Sequence, residues 1–460
     1  VANDNIASIP DLWAREGLRV LTENAPSVMA VNRQYEPMLA SEGETVKAHR
    51  PARRKIRRKT DADSFTANDA VLESVDVKLD QYFYDSFVIK DRELSLSIAR
   101  LTETHLVPVV QGIARGVDRA ILGRGYAFMH QGDPRRRAGK LNGMTKTNSA
   151  DFILEAQEAL HTGNAPNSLM TAIVHQTAQT KLQANELFAS AEKRGSANTL
   201  TTGRVGTIYN TLIEMSQNVP YVYKPSTEHE DGTVLTGNSY AAGHAATIAL
   251  TDDFAHTLVV GEFFTLDENG QPTFITVTDG DDAVTLNEPL KYAVAALSTV
   301  TVYFAGANEA TERVAGYQKE MAITHGSGKN LQVGQLLAFG TGASRHTYTI
   351  IETTNTSATV TSVLLDRPLD ATVAASAACF PGPAGAINPV LHPDALAFVS
   401  RPLATPGNSL GAFSSVQSYN GLGLRVTMQY DSSLGGVRVN VDLLAGIAPL
   451  DTNLLCPLLS

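Results

Sequence analysis

Between Leu101 and Arg124, in the stretch LTETHLVPVVQGIARGVDRAILGR, apolar residues recur at three-and-four spacing: Leu106, Val109, Val110, Ile113, Val117, Ala120 and Ile121. That period sets them on one stripe of a helix, with His105, Arg115, Asp118 and Arg119 largely off it. Thr102 or Thr104 can cap the start. Pro108 falls near the first turn, where a missing amide costs little, and Gly123 with Gly125 can end the helix. At 1.5 Å per residue it runs about 30 Å, enough for the spine of a flat subunit. An ordinary core helix of an enzyme has the same pattern, so the flanking segments must choose.

Before it, PDLWAREGLRVLTEN predicts a helix from Pro10 to Asn24, with Asp11 near its positive end, Trp13 on its apolar side and Pro26 as its stop. This arm packs on its own subunit or reaches over a neighbour. The run Thr45 to Thr60, TVKAHRPARRKIRRKT, then carries Lys47, Arg50, Arg53, Arg54, Lys55, Arg57, Arg58 and Lys59 and no acid. It is followed by a stretch in which Val71, Glu73, Val75, Val77 and Leu79 alternate. Two extended stretches around a polar turn predict a hairpin, one arm basic and the other bearing Glu73, Asp76 and Asp80. A nucleic-acid patch would want interleaved aromatics or a recognition helix, and neither is present. The basic arm is therefore expected to meet acidic groups on a partner or on its own second arm.

After the spine, GDPRRRAGKLNG is a basic, glycine-rich loop. Ser149 is placed to cap a helix whose face is Phe152, Ile153, Ala156, Ala159 and Leu160, closed by Gly163. A buried strand in SLMTAIVH leads to a helix expected from Thr177 to Arg194. A further strand is expected over Ile208 to Met215, with a helix as the alternative. Strand, helix, strand gives an α/β domain. The chain ends with INPVLHPDALAFVSRPL and a long antiparallel hairpin, GLGLRVTMQYDSSLGGVRVNVDLLAG.

Between these parts lies an internal repeat. ATIALTDDFAHTLVVGEFFTL aligns with EMAITHGSGKNLQVGQLLAF, and LNEPLKYAVAALSTVTVYF with LDRPLDATVAASAACF. Each copy, near 246–304 and 320–380, reads as a small all-β unit of short strands and glycine turns. Two such copies bury a core only by closing as barrels or packing together. Charge marks the same segment. Val222 to Ala386 holds 18 acidic and 7 basic side chains, a net of −11, which leaves the rest of the chain at +1. A step of that size suggests a domain inserted into a host fold.

A chain of 460 residues with 43% apolar and 18% charged residues is expected to fold, as two to four domains. No apolar run reaches the roughly 18 residues needed to span a bilayer, and VANDNIASIP is not a signal sequence, so a soluble, unexported chain is expected. Cys379 and Cys456 fit no metal spacing and are expected as buried thiols. No GxSxG, HExxH or dinucleotide-binding glycine motif occurs. GSGKN at Gly326 lacks the first glycine and the final hydroxyl of a phosphate loop, DGDD at Asp279 lacks the spaced ligands of a calcium loop, and HPD at His392 reads as a turn. No catalytic, cofactor or metal residues are assigned, and no enzyme is expected.

The order of parts resembles the major capsid proteins of tailed double-stranded DNA phages, the Hong Kong 97-like fold. The likeness lies in the arm, the basic hairpin before the spine helix, SLMTAIVH with its helix, IYNTLIEMSQNVP, LHPDALAFVSRPL and the late hairpin. The inserted β domain is similar to that of coat proteins from short-tailed Salmonella phages, though here it is doubled. The resemblance implies an α+β fold divided into an arm (1–34), an extended loop (35–88), a spine-helix peripheral domain (89–123), an axial domain (124–221), the insertion (222–386) and a return (387–460). It implies self-assembly through hexamers and pentamers into an icosahedral shell, in the host cytoplasm and then the virion, with no membrane. Scaffolding, portal and possible decoration proteins would be partners, and packaged DNA a non-specific one. No scaffolding segment precedes the arm in this sequence, so a separate scaffold or one already removed is expected. No motif supports a lysine–asparagine crosslink at Lys47, Lys55 or Lys59. The interface candidates are Lys47, Arg50, Arg53, Arg54, Lys55, Arg57, Arg58, Lys59 and Trp13. A prokaryotic nanocompartment shell, or a β-rich tail or adhesin protein, accounts for fewer of these parts.

Overall fold

The alternation in GVRVNVDLL makes Gly436–Pro449 a strand with Val439, Val441 and Leu443 buried on one face. It is the axis of one of the two units into which this α+β chain divides, the one comprising Val1–Arg19, Val31–Val110 and Asp394–Asp451. The structure is a computed structural model that describes residues 9–34, 45–50, 58–59, 61, 73–90, 102–125, 136–168, 170–190, 202–222, 229–233, 238–251, 258–266, 271–274, 283–286, 289–303, 305–327, 329–341, 344–383, 385–405, 412–419, 422–433 and 435–460.

In the first unit, Gly436–Pro449 pairs with Gln81–Lys90 along one edge. Along the other it pairs with Leu422–Asp431 and then Leu396–Arg401, and Ala412–Tyr419 extends the sheet beyond Leu422–Asp431. Gln81–Lys90, most of which falls in the expected extended loop (35–88), is therefore a strand of the chain's own sheet. The helix Ile9–Asn24 packs on this sheet. Trp13 stacks on Phe87 with ring centroids 6.2 Å apart, and Asp11 accepts hydrogen bonds from Ser415 (3.3 Å) and Gln417. Gly17 lies so close that a Cβ there would stand 2.9 Å from Leu424 Cδ2.

The second unit comprises Val20–Ala30, Gln111–Pro393 and Thr452–Ser460. Its mixed sheet runs Ala138–Gly139, Leu455–Leu459, Gly385–Leu391, Met170–Val174, Thr211–Met215, Gly206–Ile208. Met170–Val174 and Thr211–Met215 are parallel, as a strand–helix–strand passage requires. Helix Ser149–Thr162 covers the sheet with the expected face: Phe152, Ile153, Ala156, Ala159 and Leu160 are all buried. Its N-cap is Asn148 instead of Ser149, which is the first helical residue.

Three expectations are corrected here. The helix expected from Thr177 to Arg194 ends at Gln183, because Asn185 accepts a hydrogen bond from the Leu187 amide and caps a separate turn, Glu186–Ala189; residues 191–200 lie outside those described. The strand expected over Ile208 to Met215 contains a hairpin turn. Tyr209 and Asn210 both take positive φ, 46° and 60°, the geometry of a type I′ turn. The spine, expected as one α-helix from Leu101, opens with a π-helical turn at Thr102–Leu106 and is α-helical only over Val107–Gly125, which closes at the expected glycines.

The segment with the two repeats leaves the mixed sheet after the short strand Tyr221–Val222 and rejoins it at the start of Gly385–Leu391, where Gly385 and Ala386 pair with Val222 and Tyr221. Splice points this close let a segment be added without moving the host strands. The second repeat is a six-stranded closed barrel ordered Gly306–Asn308, Met321–Thr324, Val360–Leu365, His346–Ser357, Leu336–Phe339, Ala378–Pro381. The first repeats that order among its described residues as a four-stranded sheet and a separate two-stranded ladder, Thr247–Ala249 with Ala283–Thr285. Each buries its own apolar cluster. The correspondence extends beyond the aligned text. The isolated bridges Tyr240 to Val294 and Arg313 to Val373 are equivalent, as are Gly243 and Gly316, with φ of 87° and 85°.

Candidate assembly elements and the docked insertion

The basic run enters strand Thr45–Arg50, which pairs antiparallel with Glu73–Lys78 in a register that sets Lys47 opposite Asp76 and Arg50 opposite Glu73. Opposite charges facing across a ladder favour that register over its slips. On the face opposite Lys47 and Asp76, Ala48, Val77 and Leu79 are buried against Ala397, Val399, Ala448 and Leu450, which fixes the base of the hairpin to the sheet. The approach is close: a Cβ on Gly446 would lie 2.3 Å from the Lys78 carbonyl oxygen. Lys47, Arg58 and Lys59 are exposed, and Arg53, Arg54, Lys55 and Arg57 lie outside the described residues. Trp13 does not belong with them. At 1% exposed it is part of the sheet–helix core, and its ring has no surface to offer a neighbour.

Both repeats dock on the host through the same repeat position. In the first, Lys291 follows Leu290. Its Nζ lies 2.8 Å from Glu155 on helix Ser149–Thr162 and also donates to the Arg137 carbonyl, while the Tyr292 hydroxyl donates to Glu155 at 2.7 Å. Burial pushes the Glu155 carboxyl up, but hydrogen bonds from Lys291, the Gly139 amide and Tyr292 outweigh it and hold the group below its usual range. In the second, Asp370 follows Leu369 and takes Arg124 of the spine helix at 2.6 Å and Arg367 at 3.1 Å. Burial alone would lift the Asp370 carboxyl, yet the two guanidinium groups hold it low.

Beside Asp370, Arg367 and Asp366 form an ion pair at 3.2 Å with side chains only 1% and 0% exposed. Asp366 also accepts from the Thr349 amide, and Arg367 donates to the Thr347 carbonyl and lies over the Tyr348 ring. Burial lowers the Arg367 guanidinium, but Asp366 and Asp370 more than compensate and keep it charged. Gly123 lies within the spine helix, and Asp366 occupies the place its side chain would take: a Cβ would fall 1.4 Å from Oδ2.

The repeats and the host also share one apolar cluster. Leu141, Ile387 and Leu459 of the host pack with Phe263 and Tyr303 of the first repeat and Leu336, Ala338 and Phe380 of the second. Arg345 lies over the Phe263 and Phe380 rings and donates to the Gly261 carbonyl at 2.7 Å; burial lowers its pKa to about 9. A turn recurs as well. Glu262 and Gln335, both buried, occupy the same place and accept from the backbone amides of Val259 and Gln332.

Sequence reasoning missed a buried hub on the spine helix. Asp118, expected off the apolar stripe, is 0% exposed and accepts from the Ser27 amide (3.1 Å), the Ser216 hydroxyl (2.5 Å) and the Asn218 amide (2.8 Å). The polar residues weighed for chemistry do not converge. His392 Nε2 meets Ser168 Oγ at 2.7 Å, whereas Asp394 accepts from Asn32, and Pro393–Ala395 is a 3-10 turn. Asp279 to Asp282 lie outside the described residues. Cys379 and Cys456 are buried and unlinked, and burial pushes the Cys456 thiol up to about 12. Among the described residues no helix is long and apolar enough to cross a membrane, and no group of three metal-ligating side chains occurs.

No protein-family profile and no curated protein sequence matches the chain. Among solved structures, it is similar to a chain from Mycobacterium phage Che8, with 13% identity over 93% of this chain and 88% of that one and a TM-score of 0.43. It is also similar to a chain from the capsid structure of the cyanophage P-SCSP1u, with 8% identity, coverage of 91% and 83%, and a TM-score of 0.41. A third likeness is to the asymmetric unit of the mature capsid of bacteriophage PhiM1, with 11% identity, coverage of 91% and 82%, and a TM-score of 0.39.

Proposed function

We propose that this chain is a shell-forming subunit, the major capsid protein of a tailed double-stranded DNA phage. The observation that carries the reading is the basic hairpin. Its base is fixed to the sheet by Ala48, Val77 and Leu79, while Lys47, Arg58 and Lys59 are exposed. An element so anchored, with exposed basic side chains, suits lateral contact with another copy, where charge sets register and orientation more than net affinity. The order of hairpin, spine helix, α/β domain, insertion and return adds to this. Repeated heterologous contacts between copies close into rings, and rings into a shell that holds the genome. Scaffolding and portal proteins would be further partners, and the acidic insertion would face away from packaged DNA.

Replacing Arg53, Arg54, Arg57 and Arg58 with glutamate is the test. The monomer should keep its circular dichroism and cooperative melting, and particles should be lost in sedimentation. Particles of normal size and yield from that variant would remove the hairpin from the interface, and a monodisperse small oligomer from the unsubstituted chain would remove the shell reading.

A further inference from the structure

A cleft of about 200 Å³ opens in the second unit where the spine helix, the start of helix Gln176–Gln183, the loop Gln217 to Tyr221 and the second repeat meet. None of the residues lining it is acidic. One wall is closed by the turn at Gly334, whose backbone approaches Tyr221 so nearly that a Cβ would stand 2.8 Å from the Tyr221 carbonyl oxygen.

Four groups on this cleft are hydrogen-bond donors. Arg119 is half-buried and, among the described residues, makes no hydrogen bond or ion pair; its neighbour Asp118 is occupied by Ser27, Ser216 and Asn218. Arg115 lies within electrostatic reach of Arg119 and adds positive potential. His175 caps helix Gln176–Gln183, accepting from the Thr177 amide through Nδ1, which leaves Nε2 to carry the proton. The Gln176 amide heads that helix, at its positive end.

The fourth group is independent of the helix. Thr349 sits on the barrel strand His346–Ser357, where Tyr348 and Ile350 point into the barrel core and Thr349 therefore points out, toward the cleft. It is 4% exposed, and its hydroxyl has no hydrogen-bond partner. A buried hydroxyl left unpaired is costly, so a site that holds one facing a donor-lined cleft is built for an acceptor.

We propose that this cleft is a binding site for a tetrahedral oxyanion of the phosphate class, held by Arg119, His175 Nε2, the Thr349 hydroxyl and the first turn of helix Gln176–Gln183. The anion supplies several acceptor oxygens and the charge that Arg119 lacks, as at other helix N-termini. By bridging the spine helix and the second repeat, it ties the insertion to the host. Two sources share this chemistry: free inorganic phosphate and the phosphate of a nucleotide.

The test is calorimetric titration of the full chain with inorganic phosphate and, separately, with a nucleoside monophosphate, with melting temperature read alongside and sodium chloride at matched ionic strength as the control. Phosphate should bind one site per chain and raise the melting temperature, and chloride should not. Arg119→Gln should weaken binding about tenfold or more. Thr349→Val removes the unpaired hydroxyl at nearly constant shape. It should leave the phosphate-free melting temperature unchanged or higher, and weaken phosphate binding about threefold or more. Saturation by inorganic phosphate alone would assign the free ion; saturation by the monophosphate at lower concentration would assign the nucleotide source. A phosphate effect no larger than that of chloride overturns the site. So does binding that Thr349→Val leaves unaltered, a readout that stands even if Arg119→Gln fails to fold.

Discussion

The two β repeats share a strand order, a glycine with positive φ before each core and a buried Glu or Gln at one turn, yet they hold to the host with opposite charges. Lys291 of the first repeat finds Glu155, and Asp370 of the second finds Arg124. A duplicated unit has two equivalent places to dock, and reversing the sign at one position makes each copy wrong for the other's partner. Like charges brought together there would be left buried and unpaired, so specificity comes as much from the exclusion as from the attraction. The second copy adds the pair Asp366 and Arg367 beneath that contact. It is the more deeply anchored of the two.

Substitutions can break this comparison. Arg367→Ala strands the Asp366 carboxylate in the interior and should cost about 3–5 kcal/mol in denaturant unfolding. Lys291→Ala leaves Glu155 with Tyr292 and the Gly139 amide and should cost only about 1–2 kcal/mol. Equal losses would mean that the two docking sites do not differ in depth. Gly123→Ala drives a methyl group into the Asp366 carboxylate and should cost about 1–3 kcal/mol, with the damage confined to the second repeat in hydrogen exchange. A stabilised Gly123→Ala, as expected for an ordinary helical glycine, would contradict the close approach.

Deleting 223–384 between the paired ends Val222 and Gly385 should preserve the host sheet but lower its stability, because Leu141, Ile387 and Leu459 lose the side chains that cover them. Near-ultraviolet circular dichroism and melting would read both. Acid sharpens the comparison least. Glu155 and Asp370 both have folded pKa values below their ordinary ones, so their contributions are present above the unfolded carboxylate range and fall away as pH drops through the folded values, below about pH 4. Asp370→Asn and Glu155→Gln should each flatten part of that acid limb of the stability curve.

Much of this was legible in the chain. Helical period placed the Ser149–Thr162 face and most of the spine stripe correctly, and the matched charges Lys47 with Asp76 and Arg50 with Glu73 lie on strands that pair in that register. What periodicity could not show was anything settled by distant partners. Asp118 looked like a surface acid because the groups that bury it, Ser27 and Ser216, lie 91 and 98 residues away in sequence. The reason for a glycine at 123 was hidden because Asp366, which leaves no room for a side chain there, comes from the second repeat. The docking pairs were hidden for a related reason: equivalent positions 291 and 370 carry opposite charges, so aligning the repeats cancels the signal. For Trp13 the arm's apolar side left its own subunit and a neighbour equally open, and the ring that stacks on it, Phe87, is distant in sequence.

The most direct measurement is electron microscopy of the purified protein, with sedimentation beside it, for the chain expressed alone and with its neighbouring genes. Closed shells, or rings of five and six subunits, are the result expected of a capsid subunit, and DNA filling them would separate a phage shell from a compartment that encloses protein. A monodisperse small oligomer under every condition would contradict the account and leave the β repeats to be explained as a binding module.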